Sequence, residues 1–150
     1  MLEFFAGSTD QSIDLMIKDA TSLDGDGLTG LLYNTTDLVA SYRIGTGGSR
    51  VAIPLVELAT PALDDAHVDG GFIEVDDTHM AGVYRLDLPD AVVATLGFVT
   101  LYLYGAADMV PVVERLKIVG FNPYTQGENG VAVKDHNSLV RSVVRGHTTV

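Results

Sequence analysis

Two copies of an acidic motif hold most of the chemical promise in this chain. Asp64-Asp65-Ala66-His67 and Asp76-Asp77-Thr78-His79 each set two carboxylates beside an imidazole. Such donors together hold zinc or manganese, or exchange protons with a substrate. Both copies fall among turn formers, where Asp is favoured for the hydrogen bonds its side chain makes to nearby backbone. The reading preferred for them is a solvated acidic loop, so no metal ligand and no catalytic residue is assigned. His136 and His147 have no evident partner.

Two further patterns look chemical and weaken on inspection. Gly25-Asp26-Gly27-Leu28-Thr29-Gly30 spells the glycine pattern of a dinucleotide site. That site needs a helix after the glycines and an acid about 20 residues on. Here a strand is expected next, Arg50 stands where the acid would be, and Asp26 would repel a phosphate. Asp24 and Asp26 resemble the start of a calcium loop, but the later ligands and the distal Glu are missing. No G-x-S-x-G elbow, P-loop or H-E-x-x-H occurs. No cofactor is implied, and the chain reads as a non-enzyme. Tyr102 and Tyr104 share one face of a strand, as a sugar or partner platform or as a row packed across strands.

The elements that would carry these residues are mostly strands. Ser12–Lys18, Leu28–Tyr33, Leu38–Ile44, Arg50–Leu58, 71–76, Val83–Leu88, Phe98–Tyr104 and Pro111–Val119 read as strands from alternation, with turn residues between most of them. Pro54 marks an edge or a bulge. Glu114, in phase with Val112, Leu116 and Ile118, predicts a bulge or a sheet edge. Tyr84, Leu86 and Leu88 take one side of their strand, and Val83, Arg85 and Asp87 the other, which makes 80–89 the expected centre of a sheet. One short helix is expected over 90–96, led by Pro89. The fold class is therefore all-β, an antiparallel Ig-like β-sandwich of about eight strands. Residues 1–11 read as a lead-in, 12–122 as the sandwich domain and 123–150 as an extended C-terminal arm.

Charge narrows the partners. The chain of 150 residues has no cysteine and a net charge of −11, which speaks against nucleic acid. Residues 131–150 carry Lys134, Arg141 and Arg145 against Asp135, a net of +2 that leaves −13 on the rest. No apolar run approaches the roughly 20 residues of a membrane span, and synthesis in the cytoplasm is the expectation.

Within 70–119 the chain runs Gly70-Gly71-Phe72, an acidic stretch, Met80-Ala81-Gly82-Val83-Tyr84-Arg85-Leu86-Asp87-Leu88-Pro89-Asp90, Val99–Gly105 and Met109-Val110-Pro111-Val112. It resembles a family of small β-sandwich modules in tailed-phage structural proteins, matched here at Gly82, Tyr84, Pro89 and Pro111. The resemblance implies a virion protein made in the host cytoplasm. Its role would be capsid decoration or cement, or a tail, baseplate or fibre-attachment module. Expected partners are the major capsid protein or tail and connector proteins, with several copies associating on the particle. A carbohydrate-binding module is the alternative of another class. Arm docking would fall to Arg141 and Arg145, with Leu139, Val143 and Val144 as apolar anchors. Tyr102 and Tyr104 complete the candidate partner-binding residues.

Overall fold

A computed structural model describes residues 1–59 and 66–120. Within them nine strands and one helical turn form two sheets around a shared core. The strands are β1 (Leu2–Phe5), β2 (Ser12–Met16), β3 (Val39–Ile44), β4 (Val51–Ile53), β5 (Val56–Glu57), β6 (Gly71–Glu74), β7 (Val83–Asp87), β8 (Gly97–Tyr104) and β9 (Val112–Val119). The helix α1 covers only Asp90–Val93, opened by Pro89. Sheet A runs β1-β9-β8-β3-β4 and sheet B runs β2-β7-β6-β5.

The all-β class is as expected, but the sheets are mixed, not antiparallel. β1 runs parallel to β9, and β5 parallel to β6. The lead-in expected over 1–11 contains β1, which pairs Leu2 with Leu116 and Phe5 with Val119. The single strand expected over Arg50–Leu58 is two. Pro54 has no N–H to donate, so the ladder of sheet A stops at Ile53, and the chain resumes in sheet B at Val56. At Glu114 the pairing with β8 runs unbroken, so there is no bulge. β1 reaches only Leu116–Val119, which leaves Glu114 at an edge of β9.

Alternation decides the core. Val99, Leu101 and Leu103 of β8 are buried, as are Tyr84, Leu86 and Leu88 around β7, and Ile13, Leu15 and Ile17 around β2. The strand expected over Leu28–Tyr33 does not form. Instead the Tyr84 hydroxyl donates to the Leu28 carbonyl at 2.7 Å and accepts the Leu31 amide at 3.1 Å. Its ring lies flat on Phe72, with centroids 5.0 Å apart. A buried side chain thus replaces a ladder as the partner of this backbone. Burial pushes the Tyr84 phenol up to about 12, against the Leu31 amide and with help from the Glu74 charge.

The backbones of Gly27 and Gly82 cross in near contact. Gly82 has φ +79°, and a Cβ added there would stand 2.6 Å from the Ile17 carbonyl oxygen. Around this crossing the Ile17 amide donates to the Gly82 carbonyl and the Leu28 amide to the Ile17 carbonyl. Gly27 is therefore needed for a backbone approach, which explains part of the glycine pattern without a nucleotide.

Two outcomes follow for stability. Gly82→Ala combines a left-handed backbone with a steric collision and should lose at least about 2 kcal/mol in urea unfolding. Tyr84→Phe leaves the Leu28 carbonyl and Leu31 amide without that partner and should lose about 1–3 kcal/mol. Because the folded phenol titrates above its unfolded value, its contribution is complete below about pH 10 and lost as the pH rises toward 12. An absorbance titration should show a late tyrosine titration that Tyr84→Phe removes.

Candidate functional site

Among the described residues the two D-D-x-H copies do not come together as a site. Asp64 and Asp65 lie outside the described residues. His67 donates from Nε2 to the Gln11 carbonyl at 3.2 Å, and its Nδ1 faces Asp10 at 3.4 Å and Asp69 at 4.0 Å. In the second copy Asp76 accepts the amides of Thr78 and His79, each at 2.9 Å, and its other oxygen meets the His79 ring at 3.1 Å. Those bonds, the His79 amide first, hold the Asp76 carboxyl below its ordinary value. They describe an Asx turn, the backbone role of Asp. Among the described residues no three His, Asp or Glu side chains converge as a metal would require. The loop at 19–26 is similar: Asp19 receives the hydroxyl and amide of Thr21, and Asp26 the Ser22 hydroxyl.

A dense polar cluster sits on the side of β7 opposite Tyr84 and Leu86. Arg85 and Asp87 face away from the core on β7, yet both are buried, Asp87 completely. The guanidinium donates to both carboxylate oxygens, at 2.8 and 3.2 Å. Ser12 adds its hydroxyl at 2.6 Å and Val68 its amide at 3.1 Å. Burial alone would push the Asp87 carboxyl up. The bonds from Arg85, Ser12 and Val68 outweigh it and hold the group below its ordinary value. Ser12 donates directly to the carboxylate, with no imidazole between them to act as base. The geometry is that of a buried structural ion pair, not of an activated nucleophile.

The exposed candidates are on sheet A. Tyr102 and Tyr104 alternate with the buried Leu101 and Leu103, so they stand on the outer face. Their rings stack on each other, centroids 5.0 Å apart. Strand pairing brings other residues beside them in rows. Ser41, Tyr102 and Val113 form one row across β3, β8 and β9, and Arg43, Thr100 and Arg115 the next. Phe98, Lys117 and Glu3 form a third, with Lys117 paired to Glu3 at 2.7 Å. Arg115 lies over the Phe98 ring at 5.4 Å. Arg43 and Arg50 flank an open depression of about 200 Å³ floored by Thr100 and Tyr102. Phe98 and Val113 are 44% and 58% exposed, large values for such side chains on a folded strand.

Sequence reasoning identified Tyr102 and Tyr104 but missed Arg43, Arg50, Arg115, Lys117, Phe98 and Val113. The outward phase of Arg43 was visible. Its nearness to Arg115 needs the strand order, which alternation does not contain. The expected arm residues Leu139, Arg141, Val143, Val144 and Arg145 lie outside the described residues. A second hollow, of about 400 Å³, lies between Leu31–Asn34, Glu57–Ala59 and Ile73–Glu74. Its Glu74 accepts the Gly30 amide at 2.8 Å, a backbone duty. Among the described residues no helix is long and apolar enough to cross a membrane. Comparison of the chain with protein-family models, with curated proteins and with solved structures finds no match.

The ion pair gives a stability prediction. Asp87→Asn leaves Arg85 facing an uncharged partner in a buried site and should lose about 3–5 kcal/mol at pH 7. The Asp87 contribution is complete above the unfolded value of about 4 and lost as the pH falls through the lower folded value. Urea unfolding at stepped pH should therefore show a shallower acid limb below pH about 4 in the variant than in the wild type.

Proposed function

We propose that the chain is a non-enzymatic structural module that works by docking through its surface. The observation that carries this is the outer face of sheet A. Tyrosine, phenylalanine and arginine are enriched at protein interfaces, the aromatic rings because they bury large area with few rotatable bonds, arginine because its planar, always-charged guanidinium makes several directed hydrogen bonds and stacks on rings. Here Phe98, Tyr102, Tyr104, Arg43 and Arg115 stand together on a single sheet. A three-strand backbone holds them in fixed rows, so little ordering remains to be done on binding.

The resemblance of 70–119 to tailed-phage modules supports a virion as the assembly. In that reading the two sheets form an Ig-like sandwich, and the protein decorates the capsid as a cement. The basic residues Arg141 and Arg145, with Leu139, Val143 and Val144, carry the contact to the shell protein. Many equivalent sites would multiply a modest contact through symmetry. A tail, baseplate or fibre-attachment role uses the same parts at another place on the particle. The stacked pair of Tyr102 and Tyr104 favours one further reading, a carbohydrate-binding module.

Immunogold labelling of intact virions with an antibody to this protein is the test. Gold over the head is the expected result, and gold confined to the tail would move the role there. Particles without gold would overturn the virion reading, and a positive glycan array would then favour sugar binding. Arg141→Glu with Arg145→Glu should lower occupancy of stripped particles about tenfold, equal to about 1.4 kcal/mol.

A further inference from the structure

Among the described residues, most of the exposed basic side chains of this acidic protein are gathered on one face. Within residues 1–120 the basic residues are Lys18, Arg43, Arg50, Arg85, Arg115 and Lys117. Arg85 is buried against Asp87, and Lys18 is exposed just past the end of β2, in the phase of Asp14 and Met16. Arg43, Arg50, Arg115 and Lys117 all belong to the outer side of sheet A, with Glu3 as the acidic member of its rows. Among the described residues no carboxylate lies within ion-pair distance of Arg43, Arg50 or Arg115.

The outer side of sheet B carries mainly the opposite charge, with Lys18 as its exposed basic member. Asp14 is exposed on β2, in register with Arg85. At one end of the sheet Asp10 and Asp69 face the His67 ring, and Asp90 accepts the Asp10 amide at 3.2 Å. All four of these carboxylate residues are exposed. Apolar area lies among them, with Met16 and Val68 at 44% and 40% exposure. The two sheets enclose one core, so these faces lie on opposite sides of the same body.

We infer that the basic-aromatic face of sheet A docks onto the acidic face of sheet B of a second copy, head to tail. Charge complementarity selects this arrangement. Pairing two sheet A faces would oppose arginine to arginine, and pairing two sheet B faces would oppose carboxylates. Only the mixed contact brings Arg43, Arg50 and Arg115 to Asp10, Asp14 and Asp69. Such a contact is heterologous: each copy keeps one face of each sign, so association continues into rows or closes into a ring. The inference stands on the charge pattern alone. It also agrees with the structural role proposed above by supplying contacts between neighbours, separate from the arm that reaches the shell.

The net charge of −11 sets the conditions of the test. At very low salt whole-body repulsion opposes association. At about 0.1 M salt the screening length is about 10 Å, so distant charges are screened while pairs in contact persist. Sedimentation velocity of the full chain at about 0.1 M salt should show mass growing with concentration, and about 1 M salt should reverse it. Arg43→Glu with Arg50→Glu, and separately Asp10→Lys with Asp69→Lys, should each leave a monomer at ten times the wild-type midpoint concentration. An equimolar mixture of the two variants should associate again, because it restores faces of opposite sign. A wild-type chain that stays monomeric throughout, variants that associate like the wild type, or a mixture that stays monomeric would overturn the inference. Particle labelling that survives the Arg43 and Arg50 changes would leave the virion role standing independently of this contact.

Discussion

The register of sheet B depends on one charged pair held out of water. Arg85 and Asp87 occupy the outward phase of β7, and removing both charges from solvent is costly unless every polar atom finds a partner. The surroundings meet that demand from separate parts of the chain. β2 supplies the Ser12 hydroxyl and the 66–70 segment supplies the Val68 amide. β6 supplies an absence of side chain at Gly71, where an added Cβ would stand 2.9 Å from the Asp87 carboxylate. A slip of β7 by one residue would turn the pair into the core and Tyr84 and Leu86 outward. The pair therefore specifies which way this strand faces, beyond whatever it contributes to stability.

Because β7 is buried on both sides, it anchors structure on each. On the core side Tyr84 captures an irregular backbone segment through its hydroxyl. This explains why 28–33 defeated a reading by alternation. Leu28, Leu31 and Tyr33 are apolar enough for a strand, but their backbone partner is a phenol contributed from more than fifty residues away. The change of sheet at Pro54 was half legible: the missing donor was visible, the destination was not. β1 was illegible for a different reason. Four residues carry little periodicity, and a parallel pairing to β9 is a long-range fact.

The buried face of each long strand, by contrast, was plain in the order of its residues. Val99, Leu101 and Leu103 against Thr100, Tyr102 and Tyr104 needed only period two. The same rule placed Arg85 and Asp87 on the opposite side correctly but did not reach their burial, since it assigns a side of the sheet and not what covers that side. For the candidate surface, alternation located two tyrosines and stopped. Arg43 and Arg115 are 72 positions apart in the chain and become neighbours through Thr100 only because β8 lies between β3 and β9. A binding face assembled across strands is a property of topology.

That distinction changes what net charge can say about partners. A total of −11 describes the far field, which falls off over about a Debye length in physiological salt. A partner in contact meets the local arrangement instead. On sheet A that arrangement is Arg43, Arg50 and Arg115 among exposed aromatic rings. On sheet B it is carboxylates around a histidine. Segregation of this kind has a structural origin. Arginine stems and aromatic rings can lie flat on a pleated face and shield its strands, whereas the short Asp side chains gather at loops where they cap backbone amides. A sheet that presents its flat face and a sheet overlaid by loops will thus tend to differ in sign.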